Sequence, residues 1–178
     1  MSEPMEGGRR RIDRVLAEGF ARELGEVDPE EVRRRRDLAR AEREYLSFVR
    51  RLLQGRRDIL QAERERRRSG GEPAPVVDRL SEILSEGSRE PSRGEAPVIA
   101  VSVDEVALAR RRVERLVADA HLSDLGALSD EELEAALARL EQEERAVSDT
   151  RTRVLAVHDT LQDEMKRRYR AELGNATG

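Results

Sequence analysis

Two sets of polar side chains in this chain share one spacing. Ser47, Arg50, Gln54 and Asp58 are separated by three, four and four residues, so on a helix they form a single line. Glu144, Ser148, Arg151 and Asp159 form a second line, whose Ser, Arg and Asp stand 101 positions beyond those of the first. Arg offers a planar fork that grips a phosphate, or the O6/N7 edge of guanine, with two hydrogen bonds, and it stacks on bases. Asp accepts from the N1 and N2 hydrogens of guanine, while Ser and Gln reach phosphate or sugar oxygens. Two such helices side by side would offer two ladders to a ligand that itself holds two guanines and two phosphates.

The elements that must carry these ladders are legible in the apolar residues beside them. Along Arg43 to Leu60, Leu46, Leu53 and Leu60 form an apolar line that Val49, Leu52 and Ile59 widen. Val147, Val154 and Leu161 hold the matching places in the second stretch. One polar line on a charged helix reads as a solvated face. Its return in the same register beside the same apolar edge reads as an internal repeat on two helices.

The composition agrees with long helices. In 178 residues, 2% are aromatic and 40% charged, which cannot fill a conventional globular core. A net charge of -4 provides no basic field for a nucleic acid backbone. There is no cysteine, which excludes disulfides and thiolate chemistry, and two histidines do not support a zinc site. His158 beside Asp159 lacks a nucleophile, and there is no Gly-rich phosphate loop. The expectation is therefore a protein that is not an enzyme, with no catalytic residue, metal or cofactor. The amino terminus has no apolar run after its basic residues, and no stretch approaches the roughly 18 apolar residues a bilayer span needs. A cytoplasmic protein is expected.

The expected fold is all-α: an antiparallel two-helix coiled-coil hairpin with shorter flanking helices and a disordered linker. Residues 1–9 read as a disordered N-terminus. Residues 10–68 hold a short helix, about Arg10 to Leu24 with Gly25 as its stop, and then the first long helix. Asp28 caps that long helix, with Pro29 in its first turn and Glu31 completing a capping box, and Ser69-Gly70-Gly71 ends it. Residues 69–98, with four of the six prolines, read as a linker containing a short amphipathic helix over 76–84. Residues 99–173 hold a helix opened by Ser102 and Glu105, running to about His121, and the second long helix, opened by Ser129 and Glu132. Gly174 follows its end, and 174–178 form a disordered tail. Alternating steps of four and three place Glu144, Arg151 and His158 on the seam, which weakens a free coiled coil. The runs Arg33 to Arg36 and Arg64 to Arg68 read as solvated faces.

The two ladders resemble the motif of the RsiG-type anti-sigma factors of actinobacteria, in which Glu, Ser, Arg, Gln and Asp are separated by three, two, three and three residues. LSFVRRLLQGRRDIL carries Ser47, Arg50, Gln54 and Asp58, with Arg43 where Glu is expected. ERAVSDTRTRVLAVHD carries Glu144, Ser148, Arg151 and Asp159, with Leu155 in place of Gln. The resemblance takes in the first amphipathic helix and extends into KRRYRAEL. It implies that these eight matching residues bind cyclic di-GMP, as a dimer, on an antiparallel helix pair. It also implies that the loaded protein sequesters a WhiG-class sigma factor, repressing sporulation and development genes. From the charge balance and the lack of a long apolar run, no direct nucleic acid or membrane partner is expected. Arg43 cannot act as an acceptor, which leaves Glu42 and Glu44 as candidate substitutes, and Leu155 cannot hydrogen-bond. The apolar face over 10–24 reads either as a packing helix that folds back on the hairpin or as a partner-docking helix, and the faces over 10–24 and 76–84 are the candidate docking surfaces. The alternative is a structural coiled-coil adaptor without a nucleotide ligand.

Overall fold

The computed structural model describes residues 8–70, 101–116 and 125–176. Its elements are α1 (Arg11–Val15), a 3-10 turn (Leu24–Glu26), α2 (Pro29–Arg68), α3 (Val103–Leu116), a second 3-10 turn (Leu125–Ala127) and α4 (Asp130–Ala176). The chain is all-α, as expected, and among the described residues there is no strand. The 76–84 helix, most of the linker and the approach to His121 lie outside the described residues.

The long helices start where their caps dictate. Asp28 Oδ1 accepts from the backbone N–H groups of Glu30 and Glu31 at 2.9 and 3.3 Å. Glu31 does not close a capping box; its carboxylate takes Arg34 and Arg35 instead. Ser102 with Glu105 and Ser129 with Glu132 do form reciprocal boxes. Gly70, at φ 69°, supplies the left-handed residue that follows the end of α2. Gly174 is no stop, because α4 continues through it to Ala176. A glycine in helical geometry costs only about 1 kcal/mol relative to alanine.

Both long helices bury one residue in every seven. Val32, Ala39, Leu46, Leu53 and Leu60 line α2, and Leu133, Leu140, Val147, Val154 and Leu161 line α4, all within 1 % of full burial. The second line of each seam is partly polar, with Glu42, Glu63, Glu143 and Thr150 buried. Here the expectation needs correcting by one residue: Glu143 and Thr150 lie deeper than Glu144 and Arg151, which are half-buried like His158.

The chain divides into two compact units, Met1–Ser47 with Ser148–Gly178, and Phe48–Val147. In the first, the segment over 10–24 is not one helix. α1 ends at Val15, and the chain turns through bonds such as Phe20 N–H to the Ala17 carbonyl. Glu23 then takes a left-handed conformation at φ 49°. This segment is also not a free docking face, because Val15 and Leu24 are buried in the unit's own core with Val32 and Leu46. Arg35 fastens it by donating to the Phe20 carbonyl at 3.1 Å while lying 5.8 Å from the Phe20 ring centroid. Arg11 bonds the buried Glu42 at 2.6 Å.

The first unit closes on α4. Pro29 and Val32 at the start of α2 share a cleft with Met165 and Tyr169 near the end of α4, whereas Ser47 meets Arg151, so the two segments run antiparallel. Arg168 donates to the Leu24 carbonyl and to Glu164. Hydrogen bonds from Arg167, then Arg168, hold the Glu164 carboxyl at a pKa of about 2. A carboxyl whose folded pKa is depressed adds stability above its unfolded value, near 4.3, and that stability is lost as pH falls toward 2. Acid titration followed by circular dichroism should therefore show the wild type losing stability over that window. Glu164→Gln should be less stable at neutral pH and flatter across it. A Gln variant with the wild-type acid profile would remove Glu164 from this role.

In the second unit, Arg67 bonds Asp130 at 2.6 Å and the Leu125 carbonyl at 2.7 Å, while Gln54 meets Glu144, so α2 and α4 are antiparallel here too. α3 packs through Ala109 and Val113 and is tied by Arg112 to Glu143. The run Arg64 to Arg68 is not simply a solvated face. Arg66 and Arg67, only 14 and 19 % exposed, clamp the buried Glu63. The bond from Arg66 lowers the Glu63 pKa against the opposing effect of burial. No described helix is long and apolar enough to cross a membrane.

Candidate functional site

Each ladder residue lies on α2 or α4 because the seven-residue apolar line turns it to the flank of the buried seam, where all but the exposed Asp159 are half-buried. In the first unit, Arg151 Nε donates to Ser47 Oγ at 2.8 Å. The Ser47 hydroxyl in turn donates to the Arg43 carbonyl at 2.8 Å. This uses one edge of the Arg151 guanidinium and leaves both Nη groups without a partner among the described residues. Ser148 makes no side-chain bond among the described residues. Among the described residues Asp159 pairs only with His158 Nδ1, at 3.1 Å, and its side chain is 60 % exposed.

In the second unit, Gln54 Nε2 donates to Glu144 Oε1 at 2.6 Å. Glu144 Oε2 takes a 2.6 Å bond from Arg57 Nη1, an arginine outside both ladders. Arg57 also approaches the neighbouring Asp58 at 3.5 Å. Arg50 is half-buried and has no hydrogen-bond or ion-pair partner among the described residues. The geometry therefore joins the ladders pairwise, Ser47 to Arg151 in one unit and Gln54 to Glu144 in the other. Sequence reasoning missed Arg57, although a signal was present: Arg36, Arg43, Arg50, Arg57 and Arg64 recur at every seventh position of α2.

The sequence model of the RsiG-like family matches residues 18–84 and 119–176. This chain belongs to the RsiG-like family. The matched stretches include both ladders and all of α2 and α4. Membership supports an anti-sigma factor role, with a sigma factor as the partner in general. No curated protein matches the chain.

Two positions set this RsiG-like chain apart from the motif, and neither is repaired by a neighbour. Arg43 uses its carbonyl to hold Ser47, but its side chain has no partner among the described residues. Glu42 is committed to Arg11 and Glu44 to Arg40, so neither is a ready substitute acceptor. Leu155 is half-buried and apolar, so in the α4 ladder no amide answers Gln54 of α2.

Proposed function

We propose that this RsiG-like chain is an anti-sigma factor whose ladders, Ser47, Arg50, Gln54 and Asp58 on α2 and Glu144, Ser148, Arg151 and Asp159 on α4, bind cyclic di-GMP as a dimer. So loaded, it sequesters a WhiG-class sigma factor in the cytoplasm and represses sporulation and development genes. The reading is carried by the pairing of the ladders. In each unit a residue of one ladder bonds a residue of the other, while Arg50 and the Nη groups of Arg151 have no protein partner among the described residues. Arginines placed in this way suit phosphates and guanine edges. The function is binding rather than catalysis, with no metal or cofactor.

The buried polar residues of the seam suggest how a ligand would act. Glu42, Glu63, Glu143 and Thr150 weaken helix pairing relative to leucine, so a nucleotide that binds the paired form raises its population by mass action. Calorimetry with cyclic di-GMP should give saturable binding. Ligand at about a hundred times its Kd should add about 2.7 kcal/mol to stability, read as a higher melting temperature. Pull-down of a WhiG-class sigma factor should then strengthen on adding the nucleotide. Absence of both heat and thermal shift would leave the adaptor reading, and sigma binding that is indifferent to the nucleotide would mean that the two sites are uncoupled.

A further inference from the structure

The two departures from the ladder motif, Arg43 and Leu155, fall at facing positions of the first unit. Ser47 bonds Arg151 there and the helices run antiparallel, so Arg43 lies four residues back along α2 and Leu155 four residues on along α4. In the second unit the same two motif places, the fourth of one ladder and the first of the other, are held by Gln54 and Glu144, which bond at 2.6 Å. The first unit has no such clasp, because Leu155 cannot hydrogen-bond and Arg43 carries a cation instead of a carboxylate. No neighbour among the described residues neutralises that cation. The positions three and four away on α2 hold Ala39, Arg40, Leu46 and Ser47, none of them acidic, and Glu42 and Glu44 are committed to Arg11 and Arg40. Arg43 is half-buried, one turn from the Ser47 hydroxyl that its own carbonyl holds and that Arg151 contacts from α4. Among the described residues the buried side-chain nitrogens without a partner are Nε of Arg57 and Nε of Arg64, so the free guanidinium of Arg43 and the free Nη groups of Arg151 stay open to solvent.

We propose that Arg43 and Arg151 form an oxyanion site around Ser47, in which Arg43 donates to a phosphate oxygen of the nucleotide at the place where the motif has an acceptor. The inference rests on the nucleotide reading above and names phosphate, rather than a guanine N–H, as the group recognised at this position. Two guanidinium groups with unused donors about one hydroxyl suit an anion, since every free hydrogen there points to an acceptor that the protein does not supply. The half-buried position favours such a bond, because a partly desolvated cation has more to gain from an anionic partner than one in water. The paired change at 43 and 155 thus exchanges a clasp between the two helices for a contact to the ligand.

The test is calorimetry with cyclic di-GMP on the full chain at low and high sodium chloride, with helicity checked by circular dichroism. Arg43→Gln should weaken binding about tenfold to a hundredfold and flatten its salt dependence. Arg43→Lys should keep the salt dependence but lose part of the affinity, since an ammonium lacks the fork. Arg43→Glu, which restores the motif residue, should bind more weakly than Arg43→Gln, because a carboxylate facing Leu155 has no partner there and repels phosphate. Arg153→Gln controls for charge alone: Arg153 is exposed, in the same unit and without a partner among the described residues, and its loss should change affinity by less than about twofold. Unchanged affinity in Arg43→Gln, an equal loss in Arg153→Gln, or a Glu variant that binds as well as wild type would each overturn the proposal. So would weaker binding by Arg43→Gln with an unaltered salt response, since the lost contact would not be ionic. If the Gln variant loses its helical signal, the Lys and Glu variants decide, and wild-type affinity in either overturns the forked contact. A wild type that binds no nucleotide would end the nucleotide reading itself and this inference with it, whereas binding insensitive to Arg43 ends only the inference.

Discussion

Exchanging Arg50 and Arg151 together for alanine is expected to abolish measurable cyclic di-GMP binding while leaving the helical circular dichroism signal in place. Each forked arginine contact is worth roughly 1 to 3 kcal/mol, and losses at independent contacts add, so the double variant should lose between about thirtyfold and about 25,000-fold in affinity. The fold should tolerate the change. Arg50 has no partner among the described residues to leave behind, and Arg151 releases only the Ser47 hydroxyl, which keeps its own bond to the Arg43 carbonyl. Ser47→Ala should cost less, about 1 kcal/mol, because it removes one neutral hydrogen-bonding group. Full binding by the double variant, measured by calorimetry, would show that the ladders are solvated faces and nothing more.

The largest effect on stability should come from the seven-residue line. Leu53→Ala, at a position with no exposed surface, is expected to cost about 2 to 5 kcal/mol, because it removes buried methyl groups and leaves a cavity beside a helix that cannot close on it. Leu140→Ala in α4 should behave alike, being equally buried. Leu52 provides the control: it is the same residue type one position earlier in the same helix but half-buried, so Leu52→Ala should cost clearly less. Urea denaturation separates the two. Equal costs at Leu52 and Leu53 would mean that the buried line has been placed on the wrong face of α2.

The sequence by itself determined the features that depend on neighbours within about one turn or on a simple period. The Ser102 and Ser129 capping boxes need only residues three apart, and both are present. The apolar line of each long helix follows from a repeat that holds over four heptads, and both helices bury it. The ladders were legible for the same reason, as two copies of one spacing beside one apolar edge. Only the tertiary structure decided what each ladder residue touches. Gln54 and Arg57 meet Glu144 across about ninety positions of sequence, and Ser47 meets Arg151 across 104. No local pattern encodes such a pairing.

The tertiary structure also chose between adjacent positions that a period cannot separate. Successive residues on a helix differ by about 100°, and a seam of period 3.5 on a helix of 3.6 residues per turn lets two neighbours share its second line. That is why Glu143 and Thr150, rather than Glu144 and Arg151, are the buried polar residues of α4. The shortening of the first helix has a similar cause. The spacing from Ile12 to Leu24 fits one amphipathic helix, but burying Val15 and Leu24 in one core while Arg35 holds the Phe20 carbonyl requires the chain to turn after Val15. A helix of about a dozen residues is marginal in water, so the contacts made by its side chains outweigh its own propensity to continue.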